Sequence, residues 1–389
     1  MPSSASRTPI ALVLSGGGAR AAYQVGVLRE IAEALPPATP LPFPIVCGNS
    51  AGALNAAFIA ADARHFDRAV RGLDQLWSSL TPGAVYRTEG RILMLAALRM
   101  VRAFFRGGMG ATDHTPALLD SSPLAAVLGR VIDFARIQQN IDDGLVQALA
   151  ITAFSYSSGR SISFCQATSD QPMWARAQRR GIADTITAQH LLASTAIPLI
   201  FPAVRIGDQY YGDGSMRQIA PTSPALHLGA TRIFVIGVTR TLTEQRGSAE
   251  PGQMPTLAAI GAQLLANIFT DGMASDLEKV RLVNAAVRQI PDEARLRSPV
   301  PLRNVDLFAI NPSTSLEVIA RRYTDRLPRS LRRALGGGVN GSGAGMASYL
   351  LFDRDFCREL IELGRRDARD RADEISAFLA LRECGTAQA

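Results

Sequence analysis

Two short apolar runs, each closed by a glycine-containing turn and followed by helix-forming residues, limit the fold more than any other feature of this chain. The first run, IALVLS at 10–15, meets three consecutive glycines and leads into a helix-forming stretch at 19–35. The second run, at 44–47, leads into an alanine-rich stretch at 51–61. Short runs without polar residues are typical of parallel strands that are buried on both faces. The order therefore predicts a β-α-β-α opening and an α/β fold in which helices cover a sheet.

Later parts of the chain continue this alternation. Residues 81–121 interrupt it with proline, glycine and an arginine-containing apolar stretch, so we interpret them as an insertion or lid. The sequence predicts further strands at 146–154, 161–164, 232–238 and 305–310, and long helices at 256–289 and 353–381.

Charge and cysteine content give weaker guidance. The formal charge of +7, from 41 basic and 34 acidic residues, favours anionic partners such as nucleic acid or acidic lipid headgroups. Lys279 is the only lysine, and biased coding explains an arginine-rich composition equally well.

The four cysteines lack the spacing of metal sites or disulfide frameworks. No stretch reaches the roughly 18 uninterrupted apolar residues of a membrane span. We expect a cytoplasmic protein without a metal, a cofactor or a nucleic-acid partner.

The second turn contains the pattern G-x-S-x-G, as Gly48-Asn49-Ser50-Ala51-Gly52. In a nucleophile elbow, a strand delivers a serine to a sharp turn and a helix leaves from it, so the hydroxyl is presented to substrate. Glycines two positions before and after the serine let the strand and the helix approach closely. An ordinary flexible turn has the same composition, but the predicted strand and helix on either side favour the elbow.

The first turn, with Gly16, Gly17 and Gly18 ahead of a helix, can direct backbone N–H groups at an anion. One interpretation is dinucleotide binding, because Gly16, Gly18 and Ala21 fit a G-x-G-x-x-A pattern. The other is an oxyanion hole for acyl transfer. A dinucleotide site needs a carboxylate at the end of the second strand, where this chain has a serine, so the oxyanion hole is favoured over dinucleotide binding and over a plain turn. Arg20 contacts a substrate or another anion in one interpretation and is a solvated helix charge in the other.

A serine hydroxyl needs a neighbouring group that accepts its proton. Among the four histidines, His227 has the late chain position that α/β hydrolases use, but its surroundings resemble a surface helix. Asp213 lies between Gly212 and Gly214 after an apolar run, which suits a tight turn at the end of a strand. An ordinary Asp-Gly turn shows the same pattern.

The glycine turn, the elbow and the Asp-Gly pair at Asp213, in that order, resemble the patatin-like phospholipase family. The segment ASTAIPLIFPAV at 193–204 resembles the stretch that precedes the catalytic aspartate in that family. The resemblance implies a three-layer α/β/α fold with a mostly parallel central sheet over residues 8–240. It leaves residues 241–389 as a mainly helical C-terminal region that packs on this catalytic domain.

The resemblance also implies a Ser-Asp dyad without a catalytic histidine. Ser50 would attack an ester carbonyl of an acyl lipid, and Asp213 would accept the proton of the hydroxyl. Gly16, Gly17 and Gly18 would supply the N–H groups of the oxyanion hole, and the product would be a free fatty acid released from an acyl-enzyme. A non-catalytic regulator that binds lipid or protein on the same fold is the alternative.

One residue departs from the family pattern. The family commonly has Asp-Gly-Gly or Asp-Gly-Ala, whereas this chain has Ser215 in the third position. Because serine is small, we expect the turn to keep its shape.

Two arginine-rich segments predict peripheral contact with an anionic membrane. Residues 91–106 place four arginines around an apolar stretch, as in an amphipathic surface helix. A core-packing helix with snorkelling arginines explains this pattern equally well. The second arginine-rich segment contains Arg321, Arg322, Arg326, Arg329, Arg332 and Arg333.

The sequence does not indicate an oligomeric state.

Overall fold

The computed structural model describes residues 9–87, 117–217, 220–239, 272–298, 302–334 and 343–379. The described strands are β1 (Ile10–Leu14), β2 (Ile45–Asn49), β3 (Ala148–Ser155), β4 (Arg160–Ala167), β5 (Arg179–Ala183), β6 (Val204–Ile206), β7 (Gln209–Asp213), β8 (Arg232–Ile236) and β9 (Asp306–Ile310). They form one mixed sheet in the order β5-β4-β3-β2-β1-β8-β9, and β6 and β7 form a hairpin that joins β3 through β7. The pairs β1–β2, β2–β3, β1–β8, β8–β9 and β4–β5 are parallel, and those of β3 with β4 and β7 are antiparallel.

The described helices connect these strands and follow the last one. They are α1 (Ala22–Glu33), α2 (Ala51–Ala61), α3 (Phe66–Ser79), α4 (Pro82–Val85), α5 (Ser122–Val131), α6 (Ala135–Asp142), α7 (Ala188–Thr195), α8 (Ser223–His227), α9 (Gly272–Arg288), α10 (Asp292–Leu296), α11 (Leu316–Arg321), α12 (Arg329–Ala334), α13 (Gly343–Leu350), α14 (Arg354–Asp370) and α15 (Ala372–Leu379).

Helices pack on both faces of the sheet. Successive residues of β1 point to opposite faces: Leu12 and Leu14 join the larger core with α1, α2 and α3, whereas Ala11 and Val13 join a smaller core with α8 and α9. Because both faces are covered, the central strands are apolar without alternation, as in the sequence. The predicted α/β class with a mostly parallel central sheet is confirmed.

The C-terminal part of the chain shares this core. The strand predicted at 305–310 is β9, and it extends the sheet by pairing in parallel with β8. α14 packs closely along α1, with Gly26 of α1 and Gly364 of α14 at the contact. A Cβ on either glycine would overlap a backbone carbonyl oxygen of the other helix. The helix that follows the glycine turn is therefore held in place by a helix from the far end of the chain. The domain division at residue 240 stays a prediction.

The predicted insertion lies mainly outside the described residues, since the structure does not describe 88–116. This gap includes the arginine-rich segment 91–106. Arg87 and Asp120, on either side of the gap, pair in an antiparallel bridge. The two described ends of the chain on either side of the gap therefore lie next to each other.

One predicted helix differs from the observed ones, and another is described only in part. The helix expected at 353–381 is interrupted after α14, because Arg371 leaves the helical conformation and its guanidinium donates to Ala309 O at 2.7 Å. Of the helix expected at 256–289, α9 covers 272–288, and residues 256–271 lie outside the described residues. None of the described helices is both long enough and apolar enough to cross a bilayer.

Candidate active site

Ser50 occupies a sharp turn between β2 and α2. Its backbone has φ 50° and ψ −132°, a strained conformation for a residue with a side chain. A Cβ on Gly48 would lie 2.5 Å from the carbonyl oxygen of Gly52, and a Cβ on Gly52 would overlap the carbonyl oxygen of Leu14. The two glycines thus make the turn sterically feasible, and the strand, turn and helix follow one another as the sequence predicts.

The register of two strand pairs brings Asp213 to Ser50. β2 pairs with β3 as far as Asn49, which lies opposite Thr152. β7 then pairs with the next part of β3, and Asp213 lies opposite Ala153. Asp213 therefore occupies the place in the sheet where β2 ends and the chain turns into Ser50. Ser50 Oγ donates to Asp213 Oδ2 at 2.7 Å across 163 positions of sequence, and both side chains are buried.

Ser194 holds the backbone of the elbow, a role that sequence reasoning missed. The Ser50 N–H donates to Ser194 Oγ at 2.8 Å, and Ser194 Oγ donates to the carbonyl oxygen of Thr152 at 2.6 Å. Ser194 is completely buried on α7. Its only signal in the sequence is its place in the segment 193–204, which carries part of the family resemblance.

Ser215 connects the carboxylate with both neighbouring turns. Its N–H donates to Asp213 Oδ1 at 2.8 Å, and its hydroxyl accepts from Asn49 Nδ2 at 2.9 Å. The same hydroxyl lies against the glycine turn, since a Cβ on Gly16 would be 2.7 Å from Ser215 Oγ. The departure from the family pattern therefore adds a hydrogen-bonding group beside the carboxylate.

The glycine turn lies directly beside the elbow. A Cβ on Gly16 would be 2.8 Å from Ser50 Cβ, so a larger residue would displace the serine. Gly18 has φ 53°, and a Cβ there would overlap the carbonyl oxygen of Tyr349. Gly17 has an extended φ of 173° and precedes a short 3-10 helix that leads into α1. The turn needs glycine because other backbone and side-chain groups approach it from two sides.

The structure places Arg20 inside the protein, so the interpretation as a solvated helix charge is wrong, while its contact with an anionic substrate stays a prediction. Its guanidinium is buried, and its donors are directed at the C-terminal part of the protein. Nε donates to Ser348 Oγ at 2.7 Å, and Nη2 donates to Glu317 Oε1 at 3.0 Å and to Gly345 O at 3.2 Å. The guanidinium also lies over the ring of Tyr349, 4.1 Å from its centroid. The guanidinium therefore has its hydrogen-bond and ion-pair partners within the protein.

The described histidines make their contacts elsewhere. The Nδ1 atom of His227 lies 2.8 Å from the carbonyl oxygen of Ser223, and its ring stacks on Trp174. His190 contacts Thr187 at the start of α7. Within the described ranges, no group of three or more histidine, cysteine or acidic side chains is arranged to hold a metal ion.

Burial raises the pKa of the Asp213 carboxyl from its ordinary value of 3.8 to about 6. Hydrogen bonds from the Ser215 N–H, the Ser50 hydroxyl and the Ser215 hydroxyl act against this rise, because they favour the charged form. A carboxyl with this pKa is ionised at neutral pH, yet it binds a proton more readily than an exposed aspartate. The pair can therefore transfer a proton from the serine hydroxyl to the carboxylate.

An apolar cavity opens beside Ser50. The space between its lining residues measures about 470 Å³, and this includes the open solvent at its mouth. Apart from Ser50 and Thr195, its lining residues are aliphatic, aromatic or glycine. Its lining suits an apolar group that lies beside the serine. Its larger lining residues include Leu54, Trp77, Phe201, Tyr349 and Phe352.

The second arginine-rich segment is less basic than its sequence indicates. Arg322 pairs with Glu359, and Arg326 lies 3.3 Å from Asp355 and 3.8 Å from Asp353. Contact of this segment with an anionic membrane stays a prediction.

The fold and the site define an α/β protein that presents a serine on a strand–turn–helix elbow over a mostly parallel sheet. A family model described as patatin-like phospholipase matches residues 12–226. This match covers more than half of the chain, and the chain belongs to the patatin-like phospholipase family.

Two relatives illustrate how far the similarity extends. Over 248 residues, the chain is 28% identical to a cGAMP-activated phospholipase of Pseudomonas aeruginosa (strain BWHPSA011 / Pa011), which covers 61% of this chain and 65% of that protein. The chain thus spans slightly less than two thirds of that relative. The crystal structure of VipD from Legionella pneumophila matches 89% of this chain and 66% of VipD at 14% identity, with a TM-score of 0.32. That score is too low for a comparison of the two sites.

Replacing Asp213 with Asn should stabilise the protein, and the gain should depend on pH. The folded-state pKa of about 6 lies above the unfolded value, so ionisation is harder in the folded protein. The wild type therefore loses stability as pH rises from about 4 through 6, and the Asp213→Asn variant does not. We expect the difference in unfolding free energy between the variant and the wild type to grow by about 3 kcal/mol over this window and then to stay constant. Urea unfolding at pH 4 to 8 measures it.

The exposed Asp170→Asn change is the matched control, since it removes a carboxylate that water already solvates. If the difference in unfolding free energy between Asp213→Asn and the wild type were constant from pH 4 to 8, this would contradict a raised pKa of Asp213.

Proposed function

We propose that the protein is a serine acyl hydrolase that cleaves carboxylic esters of acyl lipids. The observation that carries this proposal is the 2.7 Å hydrogen bond from Ser50 Oγ to the buried carboxylate of Asp213. A serine hydroxyl is a weak nucleophile until a neighbouring base takes its proton, and Asp213 is in position to do so. Membership of the patatin-like phospholipase family and the similarity to a phospholipase support the proposal.

The reaction proceeds through an acyl-enzyme. Ser50 Oγ forms a bond with the ester carbonyl carbon while its proton moves to Asp213 Oδ2. The tetrahedral intermediate then expels the alcohol, which leaves with the proton held by Asp213. In the second half, Asp213 takes a proton from water, the resulting hydroxide attacks the acyl carbon, and Ser50 recovers its proton as the free fatty acid departs.

The glycine turn is the proposed oxyanion hole. Its donors would be the N–H groups of Gly16, Gly17 and Gly18, as the family resemblance implies, whereas the Ser50 N–H is engaged by Ser194. The close approach of Gly16 to Ser50 supports this assignment. α2 starts directly after the elbow, and its dipole adds positive potential where the oxyanion forms.

The apolar cavity is the proposed site of the acyl chain. Its walls are mainly apolar and match a hydrocarbon, and Ser50 is one of its three hydroxyl-bearing lining residues, with Thr195 and Tyr349. A chain that fills the cavity would bring its ester carbonyl to the serine. Burial of each methylene would contribute roughly 0.8 kcal/mol to binding.

Dinucleotide binding is disfavoured by the same turn. The carbonyl oxygen of Tyr349 faces Gly18 at the start of the 3-10 helix, where a dinucleotide would place its pyrophosphate. A carbonyl oxygen repels a phosphate group. A regulator without catalytic activity would not need the hydrogen-bonded pair of Ser50 and Asp213.

Ester turnover tests the proposal. With a short-chain acyl ester as substrate, Ser50→Ala should lower kcat/KM by roughly a thousandfold or more, because the nucleophile is lost. Asp213→Asn should cause a loss of similar size, because the amide accepts no proton at neutral pH. Ser157→Ala, on an exposed turn, is the control and should match the wild type. Full turnover by Ser50→Ala would rule out the proposed nucleophile, and a wild type without turnover would favour the regulator.

The pH dependence tests the proposed base. The kcat/KM of the wild type on a neutral ester should rise with pH through about 6, as Asp213 loses its proton. Ser215→Ala removes a hydroxyl that favours the charged carboxylate, so the pKa of Asp213 should rise and this limb should move to higher pH. A limb that stays in place would show that Ser215 does not act on Asp213.

A further inference from the structure

Among the described residues, the polar partners of the Arg20 side chain come from the C-terminal part of the chain. Its side chain is only 3% exposed and pairs with Glu317 on α11, whose side chain is 44% exposed. Nε and Nη2 also reach Ser348 Oγ and Gly345 O on α13. Ser348 Oγ in turn donates to Gly345 O at 2.6 Å. Arg20 therefore joins the end of the glycine turn to two helices that lie beyond the segment matched by the family model.

The last turn of α13 contacts the site itself. The carbonyl oxygen of Tyr349 lies against Gly18, at the position where the backbone has φ 53°. Tyr349 and Leu350 line the same cavity as Ser50. Tyr86 Oη donates to Leu350 O at 2.6 Å, which fixes the end of α13 from a third direction. The glycine turn thus has the elbow on one side and α13 on the other.

The chemistry of Arg20 makes this connection specific. A buried guanidinium is stable only when acceptors satisfy its N–H groups and a carboxylate balances its charge. Glu317 supplies that charge, and the planar guanidinium fixes the directions of its partners. A lysine would carry the charge but not the same set of donors. Movement of α11 or α13 would therefore be transmitted through Arg20 to the glycine turn.

We propose that Arg20 and Glu317 form a positioning pair, which acts through α13 to hold the glycine turn at Ser50. The inference rests on the proposed function, because that turn is the proposed oxyanion hole. In this role neither residue touches substrate. The C-terminal region is in this account a part of the catalytic apparatus, and the segment at 12–226 is insufficient without it.

The pair should affect the rate of the chemical step more than binding of the ester. N–H donors at the glycine turn stabilise the oxyanion, which exists only in the transition state and the intermediate. In the full-length protein, Glu317→Gln and Arg20→Lys should each lower kcat about tenfold or more and change KM less than threefold. The acid limb of the pH profile should stay in place, because Asp213 keeps its hydrogen bonds.

A double variant tests whether the two residues act as one unit. Arg20→Lys with Glu317→Gln should be no slower than the slower single variant, because each change already breaks the pair. Arg29→Gln is the matched control: Arg29 lies on α1 and pairs with Glu33 and Asp74, away from α13. It should keep the wild-type kcat.

Hydrogen exchange gives a readout that does not depend on activity. Backbone amides of residues 16–22 should exchange faster in Glu317→Gln than in the wild type, and the Arg29→Gln control should leave them unchanged. Glu317 is partly exposed, so this variant should fold even where a change of the buried Arg20 does not. Unchanged exchange in Glu317→Gln, an unchanged kcat, or losses that multiply in the double variant would overturn the inference. Absence of turnover in the wild type would instead refute the proposed function.

Discussion

A buried carboxylate in contact with a serine hydroxyl is the interaction on which this site depends. Removing a carboxylate from water is unfavourable, and the raised pKa of Asp213 expresses this cost. The charge is tolerated because Ser50 and the Ser215 N–H donate to its two oxygens. The same burial makes the carboxylate a stronger base than an exposed one, so stability is exchanged for reactivity at one residue.

The sheet supplies the precision that this contact requires. β2 and β7 pair with successive parts of β3, so the end of one strand meets the end of the other without a flexible loop between them. Ser194 then fixes the N–H of the strained elbow from α7. The site therefore rests on regular elements and on hydrogen bonds within them.

Much of this arrangement can be predicted from the sequence, where steric demands leave local signals. The glycines at 16–18 and at Gly48 and Gly52 are visible because no other residue permits such close approaches. The buried parallel strands are visible because they lack polar residues. Asp213 is indicated by other features of the sequence, namely its Asp-Gly turn and the family resemblance.

The remaining features depend on tertiary contacts that leave no local pattern. Ser194 lies in the segment 193–204 that carries part of the family resemblance, but no local pattern there indicates that it bonds to Ser50, 144 positions away. Arg20 resembles a solvated or anion-binding cation in sequence, and only the packing of α13 turns it into an internal residue. The break between α14 and α15 follows from the docking of Arg371 on β9, which helix propensity alone does not contain.

Covalent labelling with a fluorophosphonate probe, followed by peptide mapping with mass spectrometry, tests the central claim most directly. We expect a single adduct on Ser50 in the wild type at neutral pH. We expect much slower labelling of Ser50 when its proposed base Asp213 is replaced by Asn. Labelling of a different serine, or labelling of Ser50 at an undiminished rate without the Asp213 carboxylate, would contradict it.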